Sequence, residues 1–310
     1  MSGGPEKTAG GGAKTSKKTD AKELAAVVLF YWVCSITTVF LNKHLLSSGG
    51  FRTAPILLMA FQHVVPMALF FLLGLFHRSL VVSLRLRAMW KLLPLCLVYV
   101  GMLATNAICL QSVSVTLYQT VRSLTIIFQL LLDVGLRRRR PKPSKAAACV
   151  LVCAGAGMTA YKNTEVTVLG ACVGVLSSLF IAVYSVLVKG GLSHVRNSEL
   201  SMTHHITFMS QFFFFALAGV LGEYSAAGQL FPDALSCAKV GLSGVVGCLV
   251  GFSMFLQLKR TSPLTATVSA TIKACIQTML DVLFFARDMS PLNYAGVGVS
   301  LLGSAIYSFF

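Results

Sequence analysis

Two cations stand where a polypeptide seldom leaves one. Arg122 interrupts the apolar run from Tyr118 to Asp133, and Lys273 the run from Thr265 to Asp281. A cation in the middle of a membrane-length apolar segment costs roughly 2.5 kcal/mol or more, and is kept where it faces a bundle interior or an aqueous cavity. A guanidinium is a planar fork of donors and an ammonium a mobile point charge, so the pair suits a diphosphate better than a single carboxylate. Acids on their own helices are out of reach. Asp133 follows Arg122 by eleven residues, about 16 Å along a helix axis, and Asp281 follows Lys273 by eight, about 12 Å. Three ways to neutralise the cations are left: a cross-helix pair with one of these acids, a bound anionic solute, or snorkelling.

Polar residues cluster around both charges. Tyr118, Gln119 and Ser123 flank the arginine, and Ser269, Thr271, Gln277 and Thr278 flank the lysine; Asn106 and Tyr307 stand in other apolar runs. Each taken alone reads equally well as helix–helix glue, but as a set they offer rings and hydroxyls to a base or sugar. His204-His205 reads as a polar lining at a cavity entrance. Adjacent residues cannot aim at one point from a helix, so a metal there is not expected.

The elements that hold these residues are membrane spans. Of the 310 residues 55% are hydrophobic and 12% charged, with a mean hydropathy of +0.77, far from a soluble domain in which charged residues approach a quarter. The formal charge of +16 does not point to nucleic acid, because most cations fall between apolar runs rather than on one face. The nine cysteines lie within or beside those runs and read as small packing residues; Cys149 and Cys153 share a helix face but have no further ligands near them, so no metal is expected.

Residues 1–22, rich in Gly, Lys, Ser and Thr, are expected to be a disordered tail without a cleaved leader. Residues 23–310 divide into ten spans of the length a bilayer needs: Leu24–Leu41, Pro55–Phe76, Leu92–Leu110, Val115–Leu136, Ser144–Tyr161, Val166–Val188, Leu200–Leu221, Val240–Leu258, Leu264–Phe285 and Leu292–Phe310. Nineteen of the 26 cations lie on the side of the tail and five on the other, the last two being Arg122 and Lys273. That asymmetry places both termini in the cytosol. Ten spans suggest two five-helix repeats, 23–161 and 162–310, inverted because five is odd. The fourth and ninth spans then correspond: each has a hydroxyl-rich turn, then Thr-x-cation (Thr120 to Arg122, Thr271 to Lys273), then an acid. In carriers built this way the substrate site lies near the midplane at the repeat interface. The fold class expected is therefore all-α integral membrane, with ten transmembrane helices in two inverted repeats.

Further stretches resemble a known family. They are Tyr31-Trp32-Val33 with Phe40-Leu41-Asn42-Lys43 and Leu45-Leu46; Gly101-Met102, Asn106 and Cys109-Leu110; Arg122-Ser123-Leu124-Thr125; and Thr261-Ser262-Pro263-Leu264-Thr265 with Val268-Ser269, Lys273-Ala274-Cys275 and Gln277-Thr278. On them the chain resembles the nucleotide-sugar transporters of the drug/metabolite transporter superfamily, most closely the GDP-fucose transporters. The resemblance implies a multi-pass Golgi or ER antiporter that brings a GDP-sugar to the lumen and returns GMP by alternating access. It adds Tyr31, Asn42 and Lys43 to the candidate contacts; snorkelling at the interface is the competing account of Lys43. Related GDP-mannose carriers have a Gly-Ala-Leu-Asn-Lys motif where this chain has Ser269-Ala270-Thr271-Ile272-Lys273, the lysine retained. Where GDP-sugar carriers have a guanine-contacting Phe-Tyr-Asn-Asn, this chain reads His204-His205-Ile206-Thr207.

Expected partners are thus a nucleotide sugar, a nucleoside monophosphate and the lipid bilayer, without nucleic acid or cofactor. Whether two copies pair as a homodimer is left open by the sequence. An enzyme would need an acid/base or metal-binding acid cluster, which the sequence does not offer, so no catalytic residue is expected. Competing readings are a sugar-phosphate or triose-phosphate exchanger of the same superfamily, and a non-transporting scaffold in which Arg122 is paired to an acid.

Overall fold

A computed structural model of the chain describes residues 11–47, 50–76, 84–137, 142–161, 167–195, 198–231, 234–260, 263–285 and 290–309. The side chains of Asp133, Thr265 and Thr271 lie outside the described set, as do Thr261 and Ser262. Among the described residues all regular structure is helical: α1 Gly11–Ser47, α2 Pro55–Phe76, α3 Leu86–Ser112, α4 Val115–Ser123, α5 Thr125–Arg137, α6 Pro143–Ala160, α7 Val168–His194, α8 Glu199–Val220, α9 Ala234–Arg260, α10 Pro263–Phe285 and α11 Pro291–Phe309. Two 3-10 turns, Gly50–Thr53 and Glu223–Gln229, lie between α1 and α2 and between α8 and α9.

Among the described residues six stretches are long and apolar enough to cross a membrane: Lys22–Ser47, Pro55–Phe76, Leu86–Ser112, Val115–Leu132, Val168–His194 and Ala234–Met254. The other spans expected from sequence coincide with α6, α8, α10 and α11. α1 begins at Gly11, inside the stretch expected to be a disordered tail; Ala13, Lys14, Lys17, Lys18 and Ala21 are good helix formers, and extending a formed helix costs far less than nucleating one.

The fourth span differs from expectation. It is not one helix: α4 stops at Ser123, Leu124 makes a tight turn in which its N–H donates to the Val121 carbonyl at 3.1 Å, and α5 starts at Thr125. Hydroxyls bend the backbone here, Thr120 donating to the Thr116 carbonyl (3.0 Å) and Ser123 to that of Thr120 (2.6 Å). Ser178 of α7 donates to the Val121 carbonyl at 2.9 Å and so helps satisfy the backbone at the break.

Side chains from elsewhere in the bundle satisfy other helix ends, which water cannot do at membrane depth. Asn293 of α11 donates to the carbonyls of Met158, Thr159 and Tyr161 (3.1, 2.9 and 3.0 Å) and closes the end of α6. Between α6 and α11 the backbones touch: a Cβ on Gly155 would meet the Ser300 backbone nitrogen at 2.4 Å, and one on Gly296 the Thr159 nitrogen at 2.5 Å. Only glycine admits that approach. The apolar core runs through α2, α3 and α8, with Ile56, Leu57, Leu58, Leu92, Met202 and Phe214 almost wholly buried, while Phe71, Leu72, Leu283 and Phe284 face outward. At the end of the bundle where α1 finishes, Phe231 packs edge-on against Phe51 (5.6 Å) and Phe61 (5.0 Å).

Candidate functional site: a cavity beside two cations

A cavity of about 260 Å³ lies among α1, α2, α3, α4, α7, α8 and α9. Arg122 lines it. From the last turn of α4 the guanidinium donates to the Tyr118 hydroxyl at 2.8 Å, and that hydroxyl donates to Asn106 Oδ1 at 3.1 Å. Ser177 of α7 donates to the same oxygen at 2.7 Å. The relay spans α4, α3 and α7 and, among the described residues, uses one of the five guanidinium N–H groups, which leaves others able to take an anion.

Lys273 comes from α10, behind the wall. Its ammonium is buried, donates to Ser35 Oγ at 2.8 Å and to the Tyr31 hydroxyl at 3.4 Å, and lies 4.9 Å from the centre of the Tyr31 ring. Tyr31 and Ser35 are wall residues, so the lysine meets the cavity through them. Tyr31 stands within electrostatic reach of both Lys273 and Arg122, and the two cations within reach of each other. Among the described residues neither cation is paired to an acid. Asp281 is occupied at the start of α4, accepting from Thr116 N–H (2.8 Å) and Thr116 Oγ1 (2.6 Å).

The other expected site residues divide sharply. Tyr31, Asn42, Asn106 and Tyr118 share the cavity wall with Arg122. Gln119 and Gln277 bond each other at 2.7 Å and join α4 to α10. Ser269 is held by Trp32 Nε1 (2.8 Å) and Gln257 Nε2 (2.9 Å). Ser123 is spent on its own helix, and Thr278 is buried with its hydroxyl unpartnered. Lys43 does not snorkel: its ammonium is buried and donates to the Leu110 and Val113 carbonyls (2.8 and 2.7 Å), capping α3.

Three of the expected residues stand apart from this cavity. His204 and His205 are not in the cavity wall; α8 lines it with Thr203, Ile206 and Thr207. His204 packs on the Phe70 ring at 4.7 Å, while His205, 1% exposed, donates from Nδ1 to the Ser201 carbonyl (2.7 Å) and accepts the Arg85 N–H on Nε2 (3.1 Å) at the start of α3. The backbone at α3's first turn needs an acceptor, and an imidazole one turn into α8 supplies it. Tyr307 is also elsewhere, its ring 5.1 Å from the Lys145 ammonium between α11 and α6.

Sequence reasoning missed Gln62, His63, Tyr99, Tyr184 and Ser243, all in the wall. Gln62-His63 inside the apolar second span was the available signal, since a buried amide beside an imidazole is costly for the same reason as a buried cation.

A model described as the Triose-phosphate Transporter family matches residues 22–308. The chain belongs to that family. Members of the Triose-phosphate Transporter family move solutes across membranes, so this protein is a transporter and not an enzyme, and the resemblance found in its sequence motifs is borne out. Similar proteins include GDP-fucose transporter 1 of Dictyostelium discoideum, 33% identical over 297 residues (92% of this chain, 80% of the relative). GDP-fucose transporter 1 of Monosiga brevicollis is 34% identical over 296 residues (92% and 88%), and the protein named GDP-fucose transporter, Golgi, of Drosophila melanogaster 32% over 297 (91% and 88%). A crystal structure with 15% sequence identity superposes on 92% of this chain and 96% of its own with a TM-score of 0.61, a likeness of fold alone.

Proposed function

We propose that this transporter carries a GDP-sugar, GDP-fucose foremost, into the Golgi lumen in exchange for GMP. The observation that carries the reading is the pair Arg122, in the wall of the cavity, and Lys273, which meets the wall through Tyr31 and Ser35, neither with an acid partner among the described residues. Lys273 is buried and Arg122 half-buried in the wall; holding cations there without an anion is costly, and a diphosphate with two or three negative charges offsets that cost. GMP, which keeps one phosphate, competes for the same cations, and this is the physical basis for exchange. The names of the relatives support this reading, GDP-fucose in all three and the Golgi in that of Drosophila melanogaster.

In this reading the ten spans form two inverted halves, residues 23–161 and 162–310, with both termini in the cytosol, and the cavity opens alternately to either side. Arg122 and Lys273 hold phosphate, while Tyr31, Asn106 and Tyr118 contact the sugar or base. The decisive experiment loads proteoliposomes with GMP and measures uptake of radiolabelled GDP-fucose. Arg122→Ala and Lys273→Ala are expected to abolish uptake while the proteins stay monodisperse; uptake at the wild-type rate by either removes the phosphate role. UDP-galactose, GDP-mannose and triose phosphate in the same assay separate this substrate from the others that the fold could take.

A further inference from the structure

Away from the cations the cavity wall carries a second polar group that the phosphate role does not use. On α1 the wall residues Tyr31, Ser35, Thr38 and Asn42 recur at helical spacing on one face, so Asn42 lies about 16 Å along the axis from Tyr31. There Asn42 Oδ1 accepts from Gln62 Nε2 (2.8 Å) and from Ser243 Oγ (2.7 Å), and Gln62 Nε2 also donates to Ser243 Oγ (2.5 Å). The triangle ties α1, α2 and α9 together and occupies one polar atom of each amide. The second polar atom of each, the Asn42 nitrogen and the Gln62 oxygen, makes no hydrogen bond among the described residues, is not sealed from the cavity, and belongs to a side chain in its wall. Gln62 is only 8% exposed. Turning both amides over preserves the triangle, and the cavity is still offered one donor and one acceptor.

Flat rings stand in the same wall. His63 follows Gln62, is fixed by its Nδ1 on the Met59 carbonyl (2.7 Å), and meets Tyr99 edge-on at 6.0 Å; Tyr99 and Tyr184 lie 5.7 Å apart. A donor–acceptor pair on rigid amides beside aromatic faces is the complement of a nucleobase, which presents adjacent donors and acceptors on its edge and a π surface on its face. We infer that Asn42 and Gln62, held by Ser243, read the edge of the substrate's base. The inference rests on the nucleotide-sugar reading above, with the phosphates at the cation end of the α1 face and the base at the amide end.

The test measures equilibrium binding of radiolabelled GMP to the purified full chain, with displacement by ribose 5-phosphate, which keeps a phosphate and sugar but has no base, and by GDP-fucose. Gln62→Leu and Asn42→Ser are each expected to weaken GMP about tenfold, the worth of one good hydrogen bond to a neutral group, and to leave the ribose 5-phosphate constant within twofold. Because both ligands are read on the same variant, a general packing defect weakens both and overturns the inference. So does a variant that loses GDP-fucose but keeps GMP, which moves the contact to the fucose. Wild type that binds ribose 5-phosphate but neither GMP nor GDP-fucose sinks the nucleotide-sugar reading itself and this inference with it. Ser243→Ala, which loosens the triangle without removing either reader, should weaken GMP less than Gln62→Leu.

Discussion

Asp281 is the residue whose removal should be felt most clearly in stability and least in ligand chemistry. It is wholly buried, and its carboxylate accepts two hydrogen bonds from Thr116, at 2.8 and 2.6 Å, at the second residue of α4. Hydrogen bonds to a charged acceptor contribute about 1.5–3 kcal/mol each, and a carboxylate at a helix N-terminus adds about 0.3–1 kcal/mol. Against these stands the desolvation of the carboxylate, several kcal/mol. Asp281→Ala removes that cost together with the bonds but strands two buried donors, for a net loss of about 2–4 kcal/mol. In a chain of this size such a loss lowers Tm by several degrees. Both bonds go to Oδ2, so Asp281→Asn can keep both on its one oxygen and should lose less, the charge-assisted part of their strength. The assay is thermal unfolding in detergent with a thiol-reactive dye, since Cys34, Cys96 and Cys109 are buried and unpaired and label only on opening. Thr116→Val in both backgrounds closes a double-mutant cycle with a coupling of at least about 1 kcal/mol. If Asp281→Ala melts with wild type yet binds no ligand, the acid belongs to the ligand site and the capping argument is wrong.

Two further perturbations follow from helix ends. Lys43→Met leaves the Leu110 and Val113 carbonyls without their cap, so Tm should fall by a few degrees while the GMP dissociation constant of the folded fraction stays within threefold; a large affinity loss at unchanged Tm would make Lys43 a ligand contact instead. Glu223 accepts the Ile56 and Leu57 N–H groups (3.3 and 2.7 Å) at the start of α2, and burial pushes its carboxyl above the ordinary value of 4.5. The folded chain then holds this proton more tightly than the unfolded one, so the contribution of Glu223 to stability is greatest below 4.5 and falls as pH rises through the folded value. Glu223→Gln should flatten that part of the Tm-against-pH curve, and an unchanged curve in the variant refutes the assignment.

The cations were legible in the sequence because a charge in an apolar run is costly wherever it ends up, and the arithmetic of helix rise ruled out their own acids. What each polar residue touches was not legible. His204-His205 and Tyr307 look like site residues on a one-dimensional list, but their direction depends on the rotation of α8 and α11, which the packing of neighbouring helices sets. Gln119 and Gln277 offer the sequence both a substrate contact and helix–helix glue, and their bond to each other joins α4 to α10, while the Asn42–Gln62–Ser243 triangle joins residues from three helices far apart in the chain. The break at Leu124 was hidden as well. No proline or glycine marks it, and the bond from Ser178 of α7 to the Val121 carbonyl, which helps satisfy the backbone there, comes from a residue far along the chain.

That turn separates two helical segments of the fourth span. Arg122 lies on the near side of it, and its bond to Tyr118 is internal to α4, a segment nine residues long whose first turn is held by Asp281 and whose middle is held by Gln277. The segment that carries the guanidinium is thus tied to α10 through Gln277 and to α3 and α7 through Tyr118, Asn106 and Ser177, so the helix of Lys273 and the helices of the cavity wall meet on nine residues.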